Sequence, residues 1–282
     1  MGSSRTKRPA LLVDGTWLLV RSGRPGRSSG LSSNGLRTGP LMMFITSLAA
    51  AIRLVQPADI VVCFDGENGT AWRKAIWPGY KGDRFPVRGG YPEDELILEF
   101  CHRAMMSTAV HPDWEADDMI AAFWRTFRRA GRKVMICAED ADFRQLIDED
   151  TIQLSPYKDQ QPWDLKRVWA HYGCGPQDLS LLKALAGDKS DGIPGLPGIG
   201  PKTAVKLLGE PMPPSVCTFR RLIELASPEQ APDKARLGGD WWSQKEPRLP
   251  WEPRQAAVSV LPFLRQYELE KLAESLEAGK LW

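Results

Sequence analysis

The sequence predicts an α/β protein: an open parallel sheet covered by helices on both faces, followed by a smaller helical module. Three short apolar runs, at residues 10–13, 60–64 and 134–137, have the length and composition of buried strands. Helical patterns separate them, which is the alternation that builds parallel sheets from strand–helix–strand units. A composition shift at 173–176 then introduces two short helical patterns around a Gly- and Pro-rich turn.

Taken in order, Ala-Leu-Leu-Val at 10–13 ends on Asp14, and a helix is expected over 42–55. The second strand, Ile-Val-Val-Cys-Phe at 60–64, ends on Asp65. Residues 79–91 are rich in Gly, Pro, Lys and Arg and read as a basic segment outside the core. A helix over 93–106 follows, and Glu115-Ala-Asp117-Asp118 opens another over 117–129. The third strand, 134–137, leads to Asp140 and Asp142. Helices are expected at 179–186 and 202–208, with Asp188 and Asp191 between them in Gly-Asp-Lys-Ser-Asp-Gly. Beyond Glu210 the chain is rich in Pro and Trp, with one further helix over 264–276.

Composition narrows the function classes. The 282 residues carry 37 Lys+Arg against 35 Asp+Glu, a formal charge of +2, with 43% hydrophobic and 26% charged residues. That profile is globular and excludes a disordered chain or an obvious polybasic coat. The longest apolar-leaning run, 41–52, contains Thr46 and Ser47 and is too short to cross a bilayer, so no membrane partner is expected. The five cysteines show no CxxC pair, and Cys63 and Cys137, inside apolar runs, read as reduced core residues, so a cytoplasmic setting is expected.

The acids carry the chemical signal. In an open parallel sheet the carboxyl ends of the strands share one edge, where ligands bind. Asp14, Asp65 and the pair Asp140 and Asp142 therefore converge, although each alone would pass for a turn or cap residue. Glu115, Asp117 and Asp118 exceed what capping one helix needs. Asp188 and Asp191, three apart, can face the same way. Two like charges about 5 Å apart repel by roughly 3 kcal/mol at an effective dielectric near 20, so protonation or bound cations must relieve such a cluster. With no thiolate cluster and few histidines the site is hard and oxygen-rich, selecting Mg²⁺ or Mn²⁺ over Zn²⁺. Two such ions suit phosphoryl hydrolysis.

A polyanionic substrate fits the basic residues. Arg73 and Lys74 follow Asp65, and Tyr80-Lys81 with Arg84 begins the basic segment. A cation there can hold a phosphate against the metals, and an aromatic can stack on an unpaired base. The turn Gly195-Leu-Pro-Gly198-Ile-Gly200-Pro-Lys202-Thr203 is no P-loop, because Pro201 separates glycine from lysine and no strand runs in. It fits a helix, a tight glycine turn and a helix starting at a proline, whose bare backbone N–H groups can grip a duplex phosphate without reading sequence.

In these motifs and their order, from Leu11 to about Leu208, the chain resembles the 5′-nuclease family of flap endonucleases, phage 5′–3′ exonucleases and the 5′-nuclease domain of bacterial DNA polymerase I. The resemblance implies a PIN-like nuclease core over 8–172 and a helical part over 173–282, with a helix-hairpin-helix (H3TH) module at about 180–208 and a C-terminal extension. It places Asp14, Asp65, Glu115, Asp117, Asp118, Asp140, Asp142, Asp188 and Asp191 at a centre of two or more metal ions, and Lys81 and Arg84 on the scissile phosphate. It assigns DNA contacts to Arg73, Lys74, Tyr80, Gly195, Gly198, Gly200, Lys202 and Thr203, and K⁺ to the hairpin. An arch for the 5′ strand would map near 78–95. The implied substrate is duplex DNA with a 5′ flap or 5′ single-stranded end, cleaved by a monomer in replication or repair. No polymerase region follows, so a stand-alone nuclease of bacterial or phage type is expected.

Residues 211–282 match nothing familiar. Trp241, Trp242, Trp251 and Trp282 are expected to pack over the core, and Leu281-Trp282 offers an alternative docking tail for a protein partner. Two competing functions use the same residues: a PIN-like ribonuclease, and a non-catalytic DNA-junction binder that would be expected to have lost some of the acids. With the acids committed to metal, the near-neutral total conceals a distinctly basic remainder suited to DNA.

Overall fold

The computed structural model describes residues 8–23, 30–82, 92–157, 161–225 and 253–282. β1 (Ala10–Asp14) runs directly into α1 (Gly15–Gly23). Gly15 permits that abrupt turn, since a Cβ there would lie 2.6 Å from the Phe64 ring and 2.8 Å from the Cys63 carbonyl oxygen. A minimal hairpin, β2 (Ser32–Ser33) and β3 (Leu36–Arg37), precedes α2 (Gly39–Val55), β4 (Asp59–Phe64) and α3 (Ala71–Ile76). Then come α4 (Pro92–Arg103), β5 (Ser107–Val110), α5 (Ala116–Arg129), β6 (Val134–Cys137), a 3₁₀ turn (Ala141–Leu146) and β7 (Thr151–Leu154).

The five long strands form one parallel sheet in the order β5-β4-β1-β6-β7, with Asp14 opposite Cys63 and Val13 opposite Cys137. β1 is therefore central, and the loops after β4 and β6 flank its end. Alternation along β1 divides the core between the two faces. Leu11 and Val13 pack with α2 and α4, whereas Leu12 packs with Met119, Ile120 and Ala121 of α5.

The helical module comprises α6 (Leu165–Tyr172), α7 (Leu179–Ala186), a 3₁₀ turn (Lys189–Asp191), α8 (Pro201–Leu207) and α9 (Pro214–Ile223), with a core of its own around Val168, Leu182, Leu185, Ala204 and Phe219. The helix expected over 264–276 is two helices, α10 (Pro253–Gln266) and α11 (Glu270–Glu277), because Glu268 adopts a left-handed φ of 56°.

Within the expected 173–282 part, the described C-terminal extension packs apart from the helical module. Val260, Phe263, Leu264 and Leu276 belong to the same apolar cluster as α2 and α4, so the described C-terminal helices cover the sheet-and-helix core. Leu281 is 3% exposed, Arg53 Nη1 donates to its carbonyl oxygen, and Trp282 Nε1 donates to the Pro253 carbonyl at 3.3 Å. The chain end is thus packed down and is no free docking tail. Trp241, Trp242 and Trp251 lie outside the described residues. Among the described residues no helix is long and apolar enough to cross a membrane.

Candidate metal centre

Asp14 sits at the end of the central strand, 5% exposed, its Oδ1 accepting from the Trp17 N–H at 2.8 Å. Asp65 follows β4; its backbone N–H donates to Thr16 Oγ1 at 2.8 Å, and its Oδ1 accepts from the Ala116 N–H at 2.7 Å. That bond sets the start of α5 against the sheet edge and brings Asp117 into the group. Asp140 caps the 3₁₀ turn after β6, accepting from the Asp142 N–H at 2.9 Å. Burial, reinforced by Asp65, pushes Asp14 up to about 8. Burial, with Asp140 and Asp14 nearby, likewise raises Asp117 well above the usual carboxylate range. Such crowded carboxylates ionise together only beside a cation.

A tighter group adjoins it. Carboxylate oxygens of Asp142, Asp188 and Asp191 lie within 4.8 Å of one another. Asp142 is contributed by the sheet edge and the other two by the turn after α7, so the two modules meet here. Burial lifts Asp142 to about 7, with Lys183 pulling the other way. Burial also opposes ionisation of Asp188, yet Lys183 and the Ser190 hydroxyl and N–H hold it below the usual range. The donor set is all oxygen, and a cation already sits in it: Lys183 Nζ donates to Asp142 Oδ1, and to Asp188 Oδ2 at 2.7 Å. Both observations fit hard divalent ions.

Three expected site residues lie elsewhere. Asp118 is fully buried and both its oxygens are taken by Arg73, at 2.7 and 2.8 Å, so it does not join the open acidic cluster. Arg73, expected to touch DNA, is 2% exposed and also donates to Glu115 at 2.6 Å and to the Leu222 carbonyl at 3.0 Å. It ties α3, α5 and α9 together. Tyr80, expected to stack on a base, is likewise 2% exposed, with its hydroxyl donating to Glu115 Oε2 at 3.0 Å.

Lys81 remains at the site, its Nζ 2.6 Å from Glu115 Oε1. Burial opposes its charge, but Tyr80, Glu115, Asp117 and Asp191 hold the ammonium well above its ordinary range. Glu115 in turn is kept low, against the effect of burial, by Lys81 and Arg73. Glu115 therefore acts as the anchor of Lys81 more than as an open ligand. The backbone here is unusual: Lys81 has a φ of 48°, and its N–H donates to the Asp191 carbonyl at 2.9 Å. Trp77 Nε1 donates to the Gly192 carbonyl at 3.0 Å. The turn that carries Asp188 and Asp191 thus fixes the lysine loop.

Arg84 and most of the expected arch, residues 83–91, lie outside the described residues, and Lys74 is exposed on α3. In the hairpin, Gly198, Gly200, Lys202 and Thr203 are exposed, whereas Gly195 is buried, a Cβ there meeting Gly187 N at 2.3 Å. Gly195 is therefore a packing glycine and not a DNA contact. Lys183 was missed in the sequence; the available signal was a lone cation in the apolar helix Leu-Ser-Leu-Leu-Lys-Ala-Leu-Ala, five residues before Asp188.

With this geometry in place, comparison with known proteins is decisive. The family model for the 5′–3′ exonuclease N-terminal resolvase-like domain matches residues 9–173, and that for the 5′–3′ exonuclease C-terminal SAM fold matches 174–212. The chain belongs to the 5′–3′ exonuclease family. A 5′–3′ exonuclease of Aquifex aeolicus is 32% identical over 203 residues, covering 70% of this chain and 68% of that protein. The thermostable DNA polymerase I of Thermus aquaticus is 34% identical over 208 residues, covering 72% of this chain but only 24% of the polymerase. Among solved structures, the bacteriophage T5 flap endonuclease in complex with DNA and metal ions superposes with a TM-score of 0.62 at 19% identity, over 93% of this chain and all of that one. Flap endonuclease-1 from Methanococcus jannaschii gives 0.60 at 13% identity, over 98% and 92%. These two likenesses establish the fold.

Proposed function

We propose that this family member is a structure-specific 5′ nuclease that hydrolyses DNA phosphodiesters with two or more Mg²⁺ or Mn²⁺ ions. The observation that carries the reading is the convergence of Asp14, Asp65, Asp117, Asp140, Asp142, Asp188 and Asp191 on the carboxyl edge of the sheet, where buried carboxyls are crowded enough to need cations. Ions held there supply Lewis acidity to the phosphodiester and make water a stronger nucleophile. Lys81, anchored by Glu115 and by the backbone of Asp191, holds a positive charge at the edge of the cluster, where negative charge develops on the phosphate. The exposed Lys202 and Lys206, one helical turn apart on α8, and the open glycines before them support a backbone grip on duplex DNA. The relatives named for DNA polymerase and flap endonuclease activity favour DNA as substrate.

The test is one gel assay with a labelled 5′-flap duplex and a single-stranded RNA of matching sequence, each with Mg²⁺ or with EDTA. The flap should be cut near the junction only with Mg²⁺, and the RNA left intact. Preferential RNA cleavage would make the protein a ribonuclease, and binding without cleavage a junction binder; either result would overturn the reading.

A further inference from the structure

Among the described residues, Lys183 is the cation whose ion pairs reach both halves of the tighter acidic group. It projects from α7, whose Leu179, Leu182, Ala184 and Leu185 are buried and fix the helix in the module core. Its side chain is 18% exposed, and its Nζ bridges Asp142, from the sheet edge, and Asp188, from the turn after the helix. Asp191 contributes the third carboxylate of that group. One ammonium cannot balance three carboxylates, but it covers the oxygens that a divalent ion would need. Lysine suits a reversible cover, because a compact charge on a flexible four-carbon stem can withdraw without moving the helix, whereas a rigid guanidinium fork would be harder to release.

We propose that Lys183 is a tethered placeholder cation: it holds the Asp142, Asp188 and Asp191 carboxylates together before metal arrives, and the second divalent ion binds by displacing its ammonium. The proposal rests on the metal-centre reading above and adds a cost to filling the second position. The displaced ammonium stays on its stem near the site mouth, available to a polyanion. Two consequences follow for the protein itself, apart from turnover. The second ion binds more weakly than its oxygen donors alone would allow, and the metal-free protein depends on Lys183 to keep sheet and helical module together.

Mn²⁺ binding to the full chain, followed by calorimetry and by the electron paramagnetic resonance of the free ion, tests this. For Lys183→Met the weaker of two Mn²⁺ affinities should tighten by about tenfold or more, the change expected when a competing charge is removed from a shared site, while the stronger stays unchanged. Lys183→Arg, which keeps a cation there, should show no tightening. In EDTA the Met variant should melt below wild type, and saturating Mn²⁺ should close that gap. Should Lys183→Met fail to fold without metal, Lys183→Gln purified in Mn²⁺ and dialysed to limiting metal gives the same comparison. An unchanged or weakened second affinity in the neutral variants overturns the placeholder role while leaving the metal centre standing. If wild type binds no Mn²⁺ at all, the metal centre falls and the placeholder falls with it.

Discussion

Replacing Arg73 by Met should destabilise the protein severely without acting through DNA. The guanidinium makes two bonds to Asp118, at 2.7 and 2.8 Å, one to Glu115 at 2.6 Å and one to the Leu222 carbonyl at 3.0 Å, all within a site where Arg73 is 2% exposed. Met fills similar volume but removes both guanidinium bonds to the fully buried Asp118 and the bond to Glu115. Removing one partner of a buried pair costs about 3–5 kcal/mol, against a total stability of about 5–15 kcal/mol. For a chain of this size that corresponds to a melting temperature lower by about 6–20 °C. Urea or thermal unfolding of the purified variants reads the effect. The double variant Arg73→Met, Asp118→Leu removes both charges and should recover much of the loss, because a buried pair replaced by apolar side chains is often neutral. A single variant as stable as wild type, with weakened affinity for flap DNA, would refute the reasoning and return Arg73 to the DNA surface.

Three further outcomes are expected. Lys81→Ala should lower the single-turnover cleavage rate far more than it lowers DNA affinity; equal losses in both would make Lys81 a binding residue only. Gly15→Ala should destabilise by about 1–3 kcal/mol through overpacking, since its Cβ would meet the Phe64 ring and the Cys63 carbonyl oxygen, and denaturant unfolding measures it. In EDTA, burial raises Asp14 to about 8 and Asp142 to about 7. Native protein then binds more protons than unfolded chain between the ordinary carboxylate range and about pH 8, so stability should fall as pH rises through that window. Saturating Mg²⁺ should abolish the slope, and a melting temperature in EDTA that rises from pH 5.5 to 8.5 would contradict the cause assigned.

The parts of the fold that were legible are those with strong periodicity. The central strands β1, β4 and β6 are continuous apolar runs because both their faces are buried, and α2 and α5 carry wide apolar stripes. The edge strands β5, Ser-Thr-Ala-Val, and β7, Thr-Ile-Gln-Leu, are short and mixed, and their place in the sheet comes from pairing with neighbours distant in sequence. In the site, acids at strand ends were readable because topology alone brings them together. Asp118, Arg73 and Tyr80 were misread for one physical reason: a buried ion pair and a buried hydroxyl have the same one-dimensional appearance as solvent-facing polar residues, and their partners sit 35 to 45 positions away. Lys183 was hidden by the same effect, since its bond to Asp142 spans 41 positions. At the C-terminus one helix over 264–276 was legible, whereas the break at Glu268 and the surface the two helices cover are set by local backbone and tertiary packing.

The central claim is that these converged carboxylates bind the ions that cleave DNA. It is tested most directly by single-turnover cleavage of a 5′-flap duplex by Asp142→Asn, in saturating Mg²⁺, alongside the affinity of the same variant for the same DNA measured in Ca²⁺. Asn keeps the shape and removes the charge of a ligand in the tighter group. The account predicts a rate reduced by about a thousandfold or more, on the scale of lost metal and electrostatic stabilisation, with DNA affinity close to wild type. Wild-type cleavage by this variant would contradict it.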